Sequence, residues 1–175
     1  MTEQTVIERV GVVGCGLMGS GIAEVCARAG RQVLVHEVGP DAAERGRAKV
    51  VASLDRGLSS GKLSEAERDA AVQAIAFTTD LGDMADRQLV IEAVVEDEAL
   101  KTSVFAALDK VVVDEQAILA TNTSSIPLMK LGMATMRPGI PSSLSEQITF
   151  VPGGPVNAGP GLSEWDTNNI APRVS

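Results

Sequence analysis

Three glycines at fixed spacing, Gly14, Gly16 and Gly19, stand between an apolar run at 10–13 and a stretch with Met18, Ile22, Val25, Cys26 and Ala29 at roughly helical spacing. Strand, glycine turn and helix in that order form the context in which such glycines cradle a dinucleotide. Gly14 permits a tight turn, Gly16 lets the backbone approach a pyrophosphate with no Cβ in the way, and Gly19 lets the helix sit close on the strand. Unpaired N–H groups and the positive end of the helix dipole then face the phosphates. Glu37 follows Gly19 by 18 residues, at the end of a second strand-like stretch, 32–37. That is close to the spacing of about 20 at which a carboxylate hydrogen-bonds the adenosine ribose hydroxyls. A carboxylate there repels a 2′-phosphate, so NAD is favoured over NADP.

Two further groups sit where the chain leaves a strand. The segment Ile91-Glu92-Ala93-Val94-Val95, running on into the acids Glu96, Asp97 and Glu98 with Lys101 beyond, lies where a fourth strand ends and a helix starts, on the sheet edge where ligands bind. The plain alternative is that these acids complement the helix dipole. Thr121-Asn122-Thr123-Ser124-Ser125, followed by Ile126-Pro127, end a fifth strand. Their hydroxyls and amide suit a ligand carbonyl or a ribose, or else serve helix capping, with Ser125 as cap and Pro127 near the first helical position. Arg45, Arg47, Lys49, Arg56 and Lys62 form a basic group in an acidic chain; they suit the phosphates of an anionic acyl carrier or simply make a solvated helix face. His36, the single histidine, stands beside Glu37 and reads as a packed or solvated side chain rather than a catalytic one.

The elements that must position these residues alternate between two periodicities. Strands are expected at 10–13, 32–37, 75–78, 88–94 and 117–121. Long helices are expected after the glycine turn, at 41–58 with Asp41 as N-cap, at 64–74 from a Ser64/Glu67 capping box, and at 97–112. On the second of these, Val50, Val51, Leu54 and Leu58 should face inward. Such alternation means a parallel sheet with right-handed crossovers, an α/β Rossmann-type doubly wound fold, with strand order 3-2-1-4-5. Residues 138–175 hold six of the eight prolines, five glycines and no lysine. They are expected to form an irregular C-terminal tail with at most one short strand within 142–151, and to leave the sheet edge beside the fifth strand unpaired. The expected division is residues 1–137 as the nucleotide-binding domain and 138–175 as the tail.

The 175 residues suffice for one domain with a substantial core, and 45% of them are apolar. A net charge of −8 argues against nucleic acid or an anionic membrane as partner. No run reaches membrane-spanning length, the N-terminus is unlike a secretory signal, and Cys15 and Cys26 read as reduced thiols; a cytoplasmic location follows, with no metal site.

Taken together, VGVVGCGLMGSGIAEVCARAG, DRQLVIEAVVEDEALK and ILATNTSSIPLMKL resemble the NAD-binding domain of 3-hydroxyacyl-CoA dehydrogenases, above all the bacterial 3-hydroxybutyryl-CoA dehydrogenases of short-chain fatty acid and butanoate metabolism. The resemblance runs over residues 8–138. It implies that Gly14, Gly16, Leu17, Met18 and Gly19 hold the pyrophosphate, Glu37 the adenosine ribose, and Glu96, Lys101, Asn122 and Ser124 the nicotinamide half. Ser124 reaches the substrate as well. Ser53, Lys62 and Lys101 would contact CoA. In the family a histidine in an HFFNP-like strand after the NTSS block is the general base, and a helical domain after it dimerises. This chain reads GIPSSLSEQITFVPGGP there. The expectation is therefore a truncated chain that binds NAD with little or no turnover and no family dimer. A non-catalytic nucleotide-binding or crystallin-like relative is the alternative.

Overall fold

The computed structural model describes residues 6–135 and the strand pair of residues 149–150. The apolar run forms β1 (Arg9–Val13), and the glycine turn feeds α1 (Leu17–Arg28). Next come β2 (Gln32–His36), the 20-residue α2 (Pro40–Ser59), α3 (Glu65–Gln73) and β3 (Ile75–Thr78). A 3-10 turn, Leu81–Met84, leads to β4 (Leu89–Glu92), α4 (Glu98–Val111) and β5 (Ile118–Thr121). A short α5 (Leu128–Gly132) and β6 (Thr149–Phe150) follow.

All pairings are parallel, in the order β3-β2-β1-β4-β5-β6. The five expected strands thus take their expected order. β1 connects to β2 on one side while β4 pairs on its other side, so the crossovers diverge at β1 and leave a crevice at the carboxyl ends of β1 and β4.

Alternation along each strand sends side chains to two cores. Val10, Val12, Val33 and Val35 face α1, α2 and α3, and pack with Ala23, Val50 and Leu54. Val13, Val90 and Leu119 face the other way, against Phe105 and Leu108 of α4 and Leu131 of α5. Strands covered on both faces must be apolar on both, which is why 10–13 and 89–91 read as nearly unbroken apolar runs.

Four sequence expectations are corrected. Of the expected face of α1, Ile22 and Cys26 pack half-buried against the core, but the fully buried stripe is Gly19, Ala23 and Ala27, and Met18 and Val25 are 55% and 64% exposed, as is Ala29. A helix that touches its strand through a glycine has room only for small side chains at the line of contact, so larger ones are set to its flanks or turned out. Asp41 is not the cap of α2: Pro40 takes the first helical position, where no N–H is needed, so Gly39 caps and Asp41 falls in the first turn, complementing the dipole. Ser125 does not cap α5, whose N-cap is Pro127. The edge of β5 is not left bare, because β6, within the expected 142–151 window, pairs Thr149 with Ala120 and Phe150 with Thr121. The capping box is present as read: Ser64 Oγ accepts from Glu67 N, and Ser64 N donates to the Glu67 carboxylate. Of the expected irregular tail, everything except residues 149–150 lies outside the described residues.

Candidate functional site

Gly14 has φ +92°, a conformation that side chains resist, and a Cβ there would lie 2.9 Å from the carbonyl oxygen of Ala93. Gly19 is tighter still, since its Cβ would lie 1.9 Å from the carbonyl oxygen of Gly14. These two glycines let the turn close and α1 rest on it. Gly16 differs: a Cβ there meets nothing within 4 Å, and as the cap of α1 it offers no side-chain acceptor to the first-turn amides. The helix N-terminus therefore opens on free space, with Leu17 87% exposed beside it. Open space in front of uncapped amides is what a pyrophosphate needs, and the residues present fit one.

Glu37 follows directly on β2 and turns towards this loop, where its carboxylate accepts a hydrogen bond from Cys15 N at 2.5 Å. Gly14 N donates to the carbonyl of His36, so the ends of β1 and β2 are laced together. His36 is half-buried, and burial pushes its imidazole below the usual range. Cys15 is buried under α2; burial first and Glu37 second raise its thiol to about 11, leaving it protonated and inert at neutral pH.

Across the crevice, β4 and β5 present a connected polar group. Glu92, the last residue of β4, is fully buried, and Lys101 is 1% exposed one turn into α4. Their Nζ–Oε1 distance is 2.7 Å, and the same Oε1 accepts from Val94 N at 2.7 Å. Thr121 Oγ1 donates to Glu92 Oε2 at 2.6 Å. Lys101 also reaches Glu96 Oε2 and the Val94 carbonyl, each at 3.3 Å. Glu96 in turn accepts from the hydroxyls of Thr123 and, at 2.6 Å, Ser125. Those hydroxyls chiefly, and the Lys101 ammonium after them, hold its carboxyl down to about 2. Of the neighbouring acids, Asp97 caps α4 through Leu100 N and Glu98 pairs with Lys130 at 3.0 Å. Dipole complementation thus explains Asp97 and Glu98, but not Glu96.

Because the folded state depresses the Glu96 pKa, its contribution to stability is fully present above about 4.5, the ordinary value, and is lost as pH falls towards about 2. In chemical denaturation the stability gap between the unsubstituted chain and Glu96→Gln is expected to hold at neutral pH and close as pH falls below about 4.5. A gap that persists unchanged at about pH 3 would contradict this.

Ser124 is exposed and Asn122 half-buried on the same loop, and neither side chain has a hydrogen-bonding partner among the described residues. The structure thus brings the glycine turn, Glu37, Glu96, Asn122 and Ser124 to the carboxyl edge of one sheet. Lys101 is held differently from the expected CoA contact: its ammonium points inward, because a carboxylate at the interior position Glu92 requires a counter-charge. Ser53, half-buried in α2, and the exposed Lys62 after it are not gathered with these residues; α2 spans about 30 Å from the Glu37 end. Arg45, Lys49 and Arg56 lie on one stripe of α2, exposed and without ion pairs among the described residues. Arg47 is taken up by Glu44 at 3.9 Å and by the face of Phe77 at 4.7 Å.

Sequence reasoning placed Glu92 in the 91–98 segment and Thr121 and Thr123 among the hydroxyls offered to a ligand, but missed the buried network that joins them to Lys101. The available signal was an acid within an otherwise apolar strand, which demands a buried partner. Among the described residues no cluster suits a metal ion, and no helix is long and apolar enough to cross a membrane.

A family model described as 3-hydroxyacyl-CoA dehydrogenase, NAD binding domain, matches residues 9–140. A 3-hydroxybutyryl-CoA dehydrogenase of Mycobacterium tuberculosis is 60% identical over 132 residues, which are 75% of this chain and 46% of that protein. A probable 3-hydroxybutyryl-CoA dehydrogenase of Bacillus subtilis is 38% identical over 132 residues, with the same two shares. The crystal structure of M. tuberculosis FadB2 superposes with TM-score 0.77 at 53% identity, covering 83% of this chain and 49% of that one. That of (S)-3-hydroxybutyryl-CoA dehydrogenase PaaH1 from Ralstonia eutropha gives TM-score 0.75 at 36% identity, covering 83% and 48%. The chain spans about half the length of the curated relatives it matches.

Proposed function

Since the chain belongs to the family of 3-hydroxyacyl-CoA dehydrogenase NAD-binding domains, we propose that it supplies the cofactor-holding half of an NAD-dependent dehydrogenase acting on the C3 hydroxyl of a short-chain acyl-CoA such as 3-hydroxybutyryl-CoA. The observation that carries this is the open, uncapped N-terminus of α1 behind Gly14 and Gly19, with the Glu37 carboxylate lodged against the same loop.

In this reading the amides after Gly16, with Leu17 and Met18, receive the pyrophosphate, and Glu37 takes the adenosine ribose. Glu96, backed by Lys101, and Asn122 face the nicotinamide half, and Ser124 offers its hydroxyl to the substrate oxygen. NAD, when bound, supplies the hydride acceptor. The chain's own residues bind, orient and neutralise; its single imidazole, His36, stands at the adenosine end, away from the hydride. The Arg45–Lys49–Arg56 stripe, with Ser53 and Lys62, is the surface offered to the phosphates of CoA. Residues 1–137 act as the nucleotide-binding domain, to whose sheet β6 adds an edge strand. We place the protein in the cytoplasm, without nucleic-acid or membrane partners.

Titration of the chain with NADH, followed by the change in NADH fluorescence, tests the reading. Saturable binding that ADP-ribose displaces is expected, with NADPH weaker by at least about tenfold because Glu37 repels the 2′-phosphate. Glu37→Ala should narrow that preference. Absence of saturation by either nucleotide, or equal affinity for the two, would overturn it.

A further inference from the structure

The pair Glu92–Lys101 has no obvious stabilising purpose. It lies next to the cluster of Val90, Phe105 and Leu108, where burying two charges costs more in lost hydration than their attraction returns, so an apolar pair would serve the core as well. Glu92 also cannot touch a ligand. It is fully buried, and its two oxygens are occupied by Lys101, Val94 N and Thr121 Oγ1. What those partners have in common is their position. Val94 N belongs to the loop that carries Glu96, and Thr121 begins the loop that carries Asn122 and Ser124. Thr121 Oγ1 further accepts from Thr123 N at 3.2 Å. From the other side, Glu96 gathers Thr123 and Ser125 while resting on Lys101. The two loops at this edge of the sheet are therefore hung from two carboxylates that share one ammonium.

We propose that Glu92, acting through Lys101 and Thr121, is a positioning residue that fixes the 93–97 and 122–125 loops in register, so that Glu96, Asn122 and Ser124 meet the nicotinamide half of the cofactor together. This rests on the nucleotide-binding reading given above. Register across the pair is already set in the strands, where Glu92 stands directly opposite Thr121. The carboxylate carries that register past the last strand residue, where the ladder no longer holds the chain. The glycine turn meets the 93–94 backbone but makes no hydrogen bond to the side chains of Glu92, Lys101 or Thr121. Glu37 lies on the far side of β1, so the adenosine half should be far less sensitive to the network.

The test compares ADP-ribose, which lacks the nicotinamide, with NADH on the whole 175-residue chain by calorimetry, with melting temperature measured alongside. Glu92→Gln removes the charge at nearly constant size. Thr121→Val removes one hydroxyl at constant shape, and Thr121→Ser keeps the hydroxyl but loses the methyl. Glu92→Gln and Thr121→Val are expected to weaken NADH by about ten- to a hundredfold, as for a lost charge-assisted hydrogen bond, while ADP-ribose stays within about twofold. Thr121→Ser should bind NADH like the unsubstituted chain, even where its melting temperature falls. A purely structural role predicts the reverse ordering, with affinity following melting temperature, and that result overturns the proposal. Should Glu92→Gln fail to fold, the Val and Ser variants decide it. ADP-ribose binding with NADH affinity untouched in Thr121→Val refutes this proposal alone, whereas no ADP-ribose binding by the unsubstituted chain refutes the nucleotide reading as well.

Discussion

Gly19→Ala is expected to lower the unfolding free energy by about 2–4 kcal/mol and to weaken NADH binding by more than about tenfold. The added methyl would sit 1.9 Å from the Gly14 carbonyl oxygen, a backbone atom that cannot swing aside. Relief requires either α1 to back off β1 or the turn to open, and both displace the amides that face the phosphates. Gly21, two residues on in the same helix, provides the control, for a Cβ there meets nothing within 4 Å. Gly21→Ala should instead stabilise by about 0.5–1 kcal/mol, the ordinary gain of alanine over glycine in a helix. Urea denaturation and NADH titration of the two variants side by side decide the matter. Equal stability in the two would mean that α1 does not rest on the turn as described.

The second large effect concerns charge. Lys101→Ala should cost about 3–5 kcal/mol, because it leaves the Glu92 carboxylate in the interior without its cation. Lys130→Ala makes the comparison, since Lys130 and Glu98 also form an ammonium–carboxylate pair, at 3.0 Å against 2.7 Å. That pair is 56% and 50% exposed, whereas Lys101 and Glu92 are 1% and 0%. Water competes for the exposed pair, so its loss should cost under about 1 kcal/mol. The double change Lys101→Met with Glu92→Gln should recover most of the stability lost in Lys101→Ala, since no buried charge is left alone. A Lys101→Ala variant as stable as Lys130→Ala would sink the description of a dry pair.

Where the chain's constraints are local, the sequence told the truth. Gly14 and Gly19 are demanded by a turn and a helix within six residues of each other, and apolar runs such as 10–13 announce strands covered on both faces. The Ser64/Glu67 box is a contact across three residues, and it forms as read. The misreadings have long-range causes. The apolar stripe of α1 went to Met18 and Val25 because hydrophobicity singles out large side chains, while the distance between helix and sheet selects small ones. Ser125 looked like a cap until Glu96, 29 residues earlier, claimed its hydroxyl. The burial of Lys101 was hidden for the same kind of reason: nothing in the run from 93 to 100 says that Glu92 points inward. Strand alternation, with Val90 facing α4, would have placed Glu92 on that side two residues later.

Among the described residues the two faces of the sheet are unequally filled: twelve buried residues make the core under α1, α2 and α3, and seven make the one under α4 and α5. Partial openings of a folded chain begin where least apolar surface must be given up. The α4–α5 side should therefore breathe while the glycine turn stays closed. A dinucleotide leaving such a protein would let go first at its redox end and swing on its adenosine end, so release becomes a hinged peeling rather than a single detachment.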